Sequence, residues 1–172
     1  AESTFYSQYH NSWQDEGAAE RLVLGLTEGA MLTNDPNDDN ADFGYSDIGY
    51  SILAALVHEV TGEYFEDYQR RHILDPLQMY NTTFLLSEVR PQELAAAHVR
   101  DLEGNPMVWD RYPYTRELAP SSCLFSNIVD MCHWMMACMN GGVYFNRILK
   151  RETVERMWTS IYRGPCGWPG TG

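Results

Sequence analysis

The chain has 172 residues, of which 44% are hydrophobic, enough to bury a core in one domain and too apolar for extended disorder. Its 12 basic residues stand against 24 acidic ones, a net charge of -12. Phosphate backbones and anionic membranes are bound by clustered Lys and Arg, so this field excludes nucleic acid as a partner. No apolar run approaches the ~20 residues of a membrane span.

Ser12-Trp13-Gln14-Asp15 has the form of a helix start, a capping hydroxyl with an acid three residues on. Ala18, Ala19, Leu22, Val23 and Leu26 continue that helix at spacings of three and four. Residues 33–42 form a loop rich in Asn, Asp and Pro. A second helix is predicted from Asp47 to a C-cap at Gly62. Ile48, Ile52, Leu56 and Val60 recur along it at intervals of four, and Leu53 and Val57 widen the stripe, which makes this helix central to the expected core. A third helix covers Tyr64–Ile73 and stops before Pro76, since the residue preceding a proline avoids the helical region.

A short helix over Glu88–Ala97, a hairpin over residues 99–108 around Gly104-Asn105, and a loop over residues 112–120 are expected next. Ser126-Asn127 then cap a helix with Asp130 in its first turn. It runs through Met131, Trp134, Met135 and Cys138 to Asn140-Gly141-Gly142, and a Met and Trp stripe at helical spacing predicts core. A last helix spans Glu152–Trp158, and the tail from Gly164 is rich in Gly and Pro. There is no repeat and no change of composition, so residues 1–172 are expected to form a single, mainly helical domain with minor β structure.

Several chemistries are eliminated by spacing. Gly44-Tyr45-Ser46-Asp47-Ile48-Gly49 nearly spells G-x-S-x-G, but the second Gly falls one place late for the sharp turn of a nucleophile elbow. His58-Glu59 lacks the second His of a zinc-protease helix, because position 62 is Gly. Cys123, Cys132, Cys138 and Cys166 form no C-x-x-C pair and are expected to be free thiols. Neither a metal nor a cofactor is expected. The S-x-x-K pair, which sets a serine nucleophile one helical turn before its activating lysine, is absent: the sole lysine is Lys150, and position 147 is Arg. There is no K-T-G or H-T-G triplet either, only Gly170-Thr171-Gly172.

Two ordered blocks carry a resemblance. The first reads Phe43-Gly44-Tyr45-Ser46-Asp47-Ile48-Gly49-Tyr50, then an apolar helix to Val60-Thr61-Gly62, then Ile73, Pro76-Leu77-Gln78-Met79 and Thr83. The second reads Pro120-Ser121-Ser122-Cys123-Leu124-Phe125-Ser126, Asp130-Met131, Trp134 and Asn140-Gly141-Gly142, continued by Arg147-Ile148-Leu149 and Met157-Trp158. These are similar to the F-x-Y-S-N-x-G-Y, V-T-G, P-L-G-M and P-A-G-G-L-x-S-T-x-x-D-M-x-x-W patterns of the serine β-lactamase-like family, which includes class C β-lactamases, D-alanyl-D-alanine peptidases and related esterases. The resemblance implies the helical lobe of an α+β fold lacking most of its antiparallel sheet.

It further implies that Tyr45 is the general base or proton shuttle, with Asp47 in the Asn position of the Tyr-x-Asn element and Ser121 and Ser122 along the substrate groove. On the residues alone, Tyr45 reads rather as a buried aromatic at a helix start with Asp47 as its N-cap, and the two serines read as loop caps. The parent activity implied is acyl-serine hydrolysis of an ester, peptide or β-lactam, with Asp47 favouring esters or peptides. The implied partner is a small-molecule or peptide substrate, and the implied compartment is periplasmic or extracellular. Without S-x-x-K this chain alone is expected to be inactive. A lobe without its sheet is also expected to self-associate through an exposed apolar face. The alternative is a stand-alone, non-catalytic binding module, which would have covered that face with polar residues.

Overall fold

The computed structural model describes residues 17–26, 45–109 and 114–159. The expected helix start at Ser12, the polar loop 33–42 and the Gly- and Pro-rich tail lie outside these residues. Among the described residues, helices dominate: α1 (Ala18–Leu24), α2 (Asp47–Thr61), α3 (Phe65–Gln69), α4 (Ala119–Ser122), α5 (Ile128–Met139) and α6 (Arg151–Trp158). Among the described residues the strands form two antiparallel hairpins, β1 (His98–Arg100) with β2 (Pro106–Val108), and β3 (Val143–Tyr144) with β4 (Asn146–Arg147). No helix among the described residues is long and apolar enough to cross a membrane.

Local chemistry explains the boundaries. Ser46 caps α2 by accepting the Gly49 N–H at 3.0 Å, and Gly62 closes it with φ 74°. α3 loosens into a π turn over Arg70–Leu74, where the expected third helix would have continued as α. Pro76 offers no N–H to an α ladder, and Asp75 and Met79 instead donate five residues back, to Arg70 and Leu74, at 2.9 and 2.8 Å. The expected helix over 88–97 is two isolated 3-10 turns, Leu86–Glu88 and Pro91–Glu93; Pro91 starts the second turn rather than extending the first. The 99–108 hairpin forms as read, its turn held by the Asp101 carboxylate, which accepts the N–H groups of Glu103 and Asn105. The expected loop at 112–120 is, from Arg116, a 3-10 turn running into α4.

Two expectations about the core are corrected. The large apolar residues of α2 do not form it: Ser51 and Ala54 are fully buried, whereas Ile52, Leu53, Leu56 and Val60 are exposed, Val60 to 76%. The neighbours of α2 among the described residues are α1, α3, α4 and the 3-10 turn Arg116–Leu118, the last of these bonded to Ser51. On α5, Trp134 packs partly buried against the core and Ala137 is fully buried, but Met135 and Met139 face outward. The observed core is small: Leu74, Leu77, Met79 and Ala137, flanked by Ile73, Trp134, Tyr144 and Ile148.

A buried carboxylate ties the loop after the π turn to α5. Asp130 is 2% exposed and accepts the Asn81 N–H and the Thr82 hydroxyl, both at 2.8 Å. Beside it, Thr83 and Phe125 exchange backbone hydrogen bonds of 3.0 and 2.8 Å. In the tight turn that precedes this loop, Gln78 has φ 57°, the left-handed region where a Cβ crowds the following carbonyl. The family pattern that this segment resembles has Gly there. Gln78→Gly is therefore expected to stabilise the fold by about 0.5–1 kcal/mol, the relief of strain exceeding the added unfolded-state entropy. Urea unfolding would show it as a higher midpoint at unchanged slope.

Candidate functional site

The site is assembled where the first turn of α2 meets α4. Asp47 and Ser51 are four residues apart and so share one side of α2. Ser51, with no exposed surface, donates its hydroxyl to the Glu117 carbonyl at 3.2 Å, locking α2 to the 3-10 turn. That turn is held from its other side by a shielded ion pair, Arg116 Nε to Glu66 Oε1 at 2.6 Å, each side chain 11% exposed. Upstream, Tyr114 donates to the Phe84 carbonyl at 3.0 Å and its ring lies 5.7 Å from that of Phe125. Burial pushes the Tyr114 phenol up to about 12, so it is a neutral donor throughout the working pH range. Pro120 then opens α4, whose missing N–H costs nothing in a first turn, and delivers Ser121 and Ser122 to the end of α2.

The structure brings all four sequence-predicted site residues together. Tyr45 donates its phenolic proton to Asp47 Oδ1 at 2.8 Å, and Ser122 Oγ approaches the same oxygen at 3.4 Å. Ser122 and Ser121 hydroxyls are 2.9 Å apart, and Ser121 also lies 3.0 Å from the Leu118 carbonyl. The result is a run of polar groups, phenol, carboxylate, hydroxyl, hydroxyl, along a solvent-facing edge. Tyr45 is 67% exposed, so it is not a buried aromatic. The N-cap of α2 is Ser46, not Asp47, which also accounts for the near-match to an elbow serine.

The electrostatics run against an ionised phenol. Its hydrogen bond to Asp47, and then the charge of that carboxylate, raise Tyr45 above its ordinary value of about 10. A phenolate would need a cation, and no ion pair joins Asp47 to Arg or Lys among the described residues. Tyr45 is therefore held as a phenol, its proton donated to Asp47 Oδ1. A separate polar recess of about 970 Å³ is lined by Arg70, Thr83, Glu88, Arg90, Glu93 and Phe125 and includes none of the four residues. Both of its arginines are paired, Arg70 with Glu88 and Arg90 with Glu93, so it offers little to an anion. Sequence reading missed the Ser51 anchor and the Arg116–Glu66 pair. A Ser four residues after Asp47 inside an apolar helix was the available signal for the first; the second joins positions 50 residues apart and left none.

Comparison with known proteins follows the same outline. The sequence pattern of the family described as Beta-lactamase matches residues 16–172. PbpX of Bacillus subtilis strain 168, named as a penicillin-binding protein, is 27% identical over 115 residues, covering 67% of this chain and 28% of that protein. A protein of Escherichia coli strain K12 named as a D-alanyl-D-alanine carboxypeptidase is 29% identical over 138 residues, covering 67% of this chain and 31% of its own length. The chain thus spans less than a third of these two relatives. The solved structure of the octameric penicillin-binding protein homologue from Pyrococcus abyssi superposes with a TM-score of 0.67 at 23% identity, over 88% of this chain and 36% of that one.

Asp47→Asn removes the charge while keeping the shape beside Tyr45. The phenol is then expected to ionise at lower pH, closer to its ordinary value. Following the ring-carbon resonance of Tyr45 through an alkaline titration of both proteins would detect the downward shift; an unmoved or raised midpoint would show that Asp47 does not control the phenol.

Proposed function

The chain belongs to the beta-lactamase family, and from that premise we propose that it forms the helical lobe, and one wall of the substrate groove, of a serine hydrolase. The whole enzyme cleaves an ester, peptide or β-lactam through an acyl-serine. In this reading residues 1–172 act as one lobe, Tyr45 and Asp47 form the proton-handling edge of the groove, and Ser121 and Ser122 line it. The observation that carries it is the hydrogen-bonded run from Tyr45 through Asp47 to Ser122 and Ser121, from two elements 75 residues apart in sequence. The carboxylate at 47 cannot donate to a substrate carbonyl as an amide could, which favours esters or peptides over β-lactams. The names of the relatives support a cell-envelope or extracellular setting.

No S-x-x-K pair is present in these 172 residues, so the isolated chain has no nucleophile to acylate. Intact-mass spectrometry after incubation with a fluorophosphonate, and separately with a penicillin, is expected to show no adduct. A stoichiometric adduct on one serine would overturn this reading and place a complete site within the chain.

A stand-alone binding module would have polar residues over the outer side of its main helix. Leu53, Leu56 and Val60 on α2 are instead 55%, 55% and 76% exposed, which supports the lobe reading. Apolar surface of this kind is removed from water at roughly 25 cal/mol per Å², and in the isolated chain the partner nearest to hand is a second copy. Light scattering is expected to show concentration-dependent dimers that Leu56→Glu returns to monomer. A wild-type chain that stays monomeric at high concentration would remove the apolar-face argument.

A further inference from the structure

We propose that Asp47 makes this groove selective for substrates that carry a cationic amine beside the scissile carbonyl. The inference rests on the groove reading above and names the substrate class of that same site. Asp47 Oδ1 takes both hydroxyl contacts, from Tyr45 and from Ser122. Its other oxygen, Oδ2, accepts no hydrogen bond from the described residues. A carboxylate is acceptor-only, and an ammonium brings three donors, so the open oxygen suits a protonated amine and offers nothing to an acyl oxygen or a carboxylate.

Asp47 stands in the first turn of the fifteen-residue α2, and no ion pair joins it to Arg or Lys among the described residues. The wider field has the same sign: a net charge of -12 concentrates cations near the surface and repels anions. Tyr45, held as a phenol, adds a neutral donor rather than a second charge, and Ser121 and Ser122 complete a polar, uncharged remainder. Among the described residues that form this polar run, Asp47 is the one with a charged side chain, placed at the junction of α2 and α4.

The test titrates the uniformly ¹⁵N-labelled chain with three ligands that share a phenylalanine amide core and differ at the amine: phenylalanine amide, a cation; N-acetylphenylalanine amide, neutral; and N-succinylphenylalanine amide, an anion. The expected result is shifts centred on residues 45–47 and 121–122, with the cation binding roughly tenfold more tightly than the neutral ligand, a typical charge-assisted difference, and the anion weakest. Asp47→Asn is expected to bring cation and neutral ligand within about twofold of each other, with the rest of the spectrum unmoved to show that the fold is intact. Equal binding of cation and neutral ligand at residues 45–47 and 121–122 overturns the proposal and leaves the groove reading standing. So does a cation preference that persists in Asp47→Asn, which would assign it to net charge. Shifts absent from those residues with all three ligands overturn the groove reading together with the proposal.

Discussion

The close approach of α2 to the segment 116–122 is the constraint on which the rest of the site depends. It is possible because the facing residues of α2 are small: Ser51 and Ala54 have no exposed surface, and Ser51 converts the contact into a hydrogen bond to Glu117. A longer side chain at either position would wedge the two elements apart, because interiors close to crystal density absorb extra methylenes only by moving backbone. The Ser122 to Asp47 contact is already 3.4 Å, at the outer limit of a hydrogen bond. A displacement of half an ångström there would sever the polar run into two halves. The chemistry of the edge is therefore set one turn below it, by residues with no chemistry of their own.

The other end of the same segment is fixed by an interaction of a different kind. As the chain leaves α4, Phe125 pairs with Thr83 through the backbone, and Ser126 meets the Thr82 hydroxyl at 2.8 Å, itself bound to the buried Asp130. A carboxylate taken out of water costs several kcal/mol unless its lone pairs are met. Here two donors from the loop at 81–82 meet one of its oxygens, Oδ2, so that part of the cost of burying Asp130 is recovered only when the loop is in place. The carboxylate thus penalises any arrangement in which α5 forms without the loop, and this couples the small core around Leu77 and Ala137 to the exit of the site. Residues 116–122 are held between the two anchors, as a bridge is held at both abutments.

How much of this could be read from the sequence depended on the range of the interaction. Local signals were legible: the Gly62 cap, the Asn127 cap, the 99–108 turn, and the four residues that meet at the site, which were identified by their order in the two family-like blocks. Burial on α2 was misread for a physical reason. A period of 3.6 in hydrophobicity reveals that a helix has an apolar side, but not whether a neighbour lies on it, and the fully buried side chains of α2 are Ser51 and Ala54 instead. The same limit applies to Met135 on α5. The π turn at Arg70–Leu74 was unreadable because Pro76 signals only that an α ladder must end, not how the carbonyls before it are then satisfied. The Arg116–Glu66 pair joins distant positions, and single charges in a chain with 24 acidic residues do not announce their partners.

The charge at position 47 bears on what Tyr45 can do in a complete enzyme. A tyrosine serves as a base only where cations outweigh anions around its oxygen, since its ordinary pKa near 10 must come down by about three pH units to hold an appreciable phenolate at neutrality. With an amide at 47, a single lysine brought near the phenol would count in full. With Asp47 at 2.8 Å, the first such lysine is spent in neutralising the carboxylate, and a second is needed before the phenol is favoured as an anion. On the proposed reading, Tyr45 is thus better fitted to give a proton to a leaving group than to take one from a nucleophile. That division follows from a single atom-for-atom replacement, nitrogen by oxygen, at the first residue of one helix.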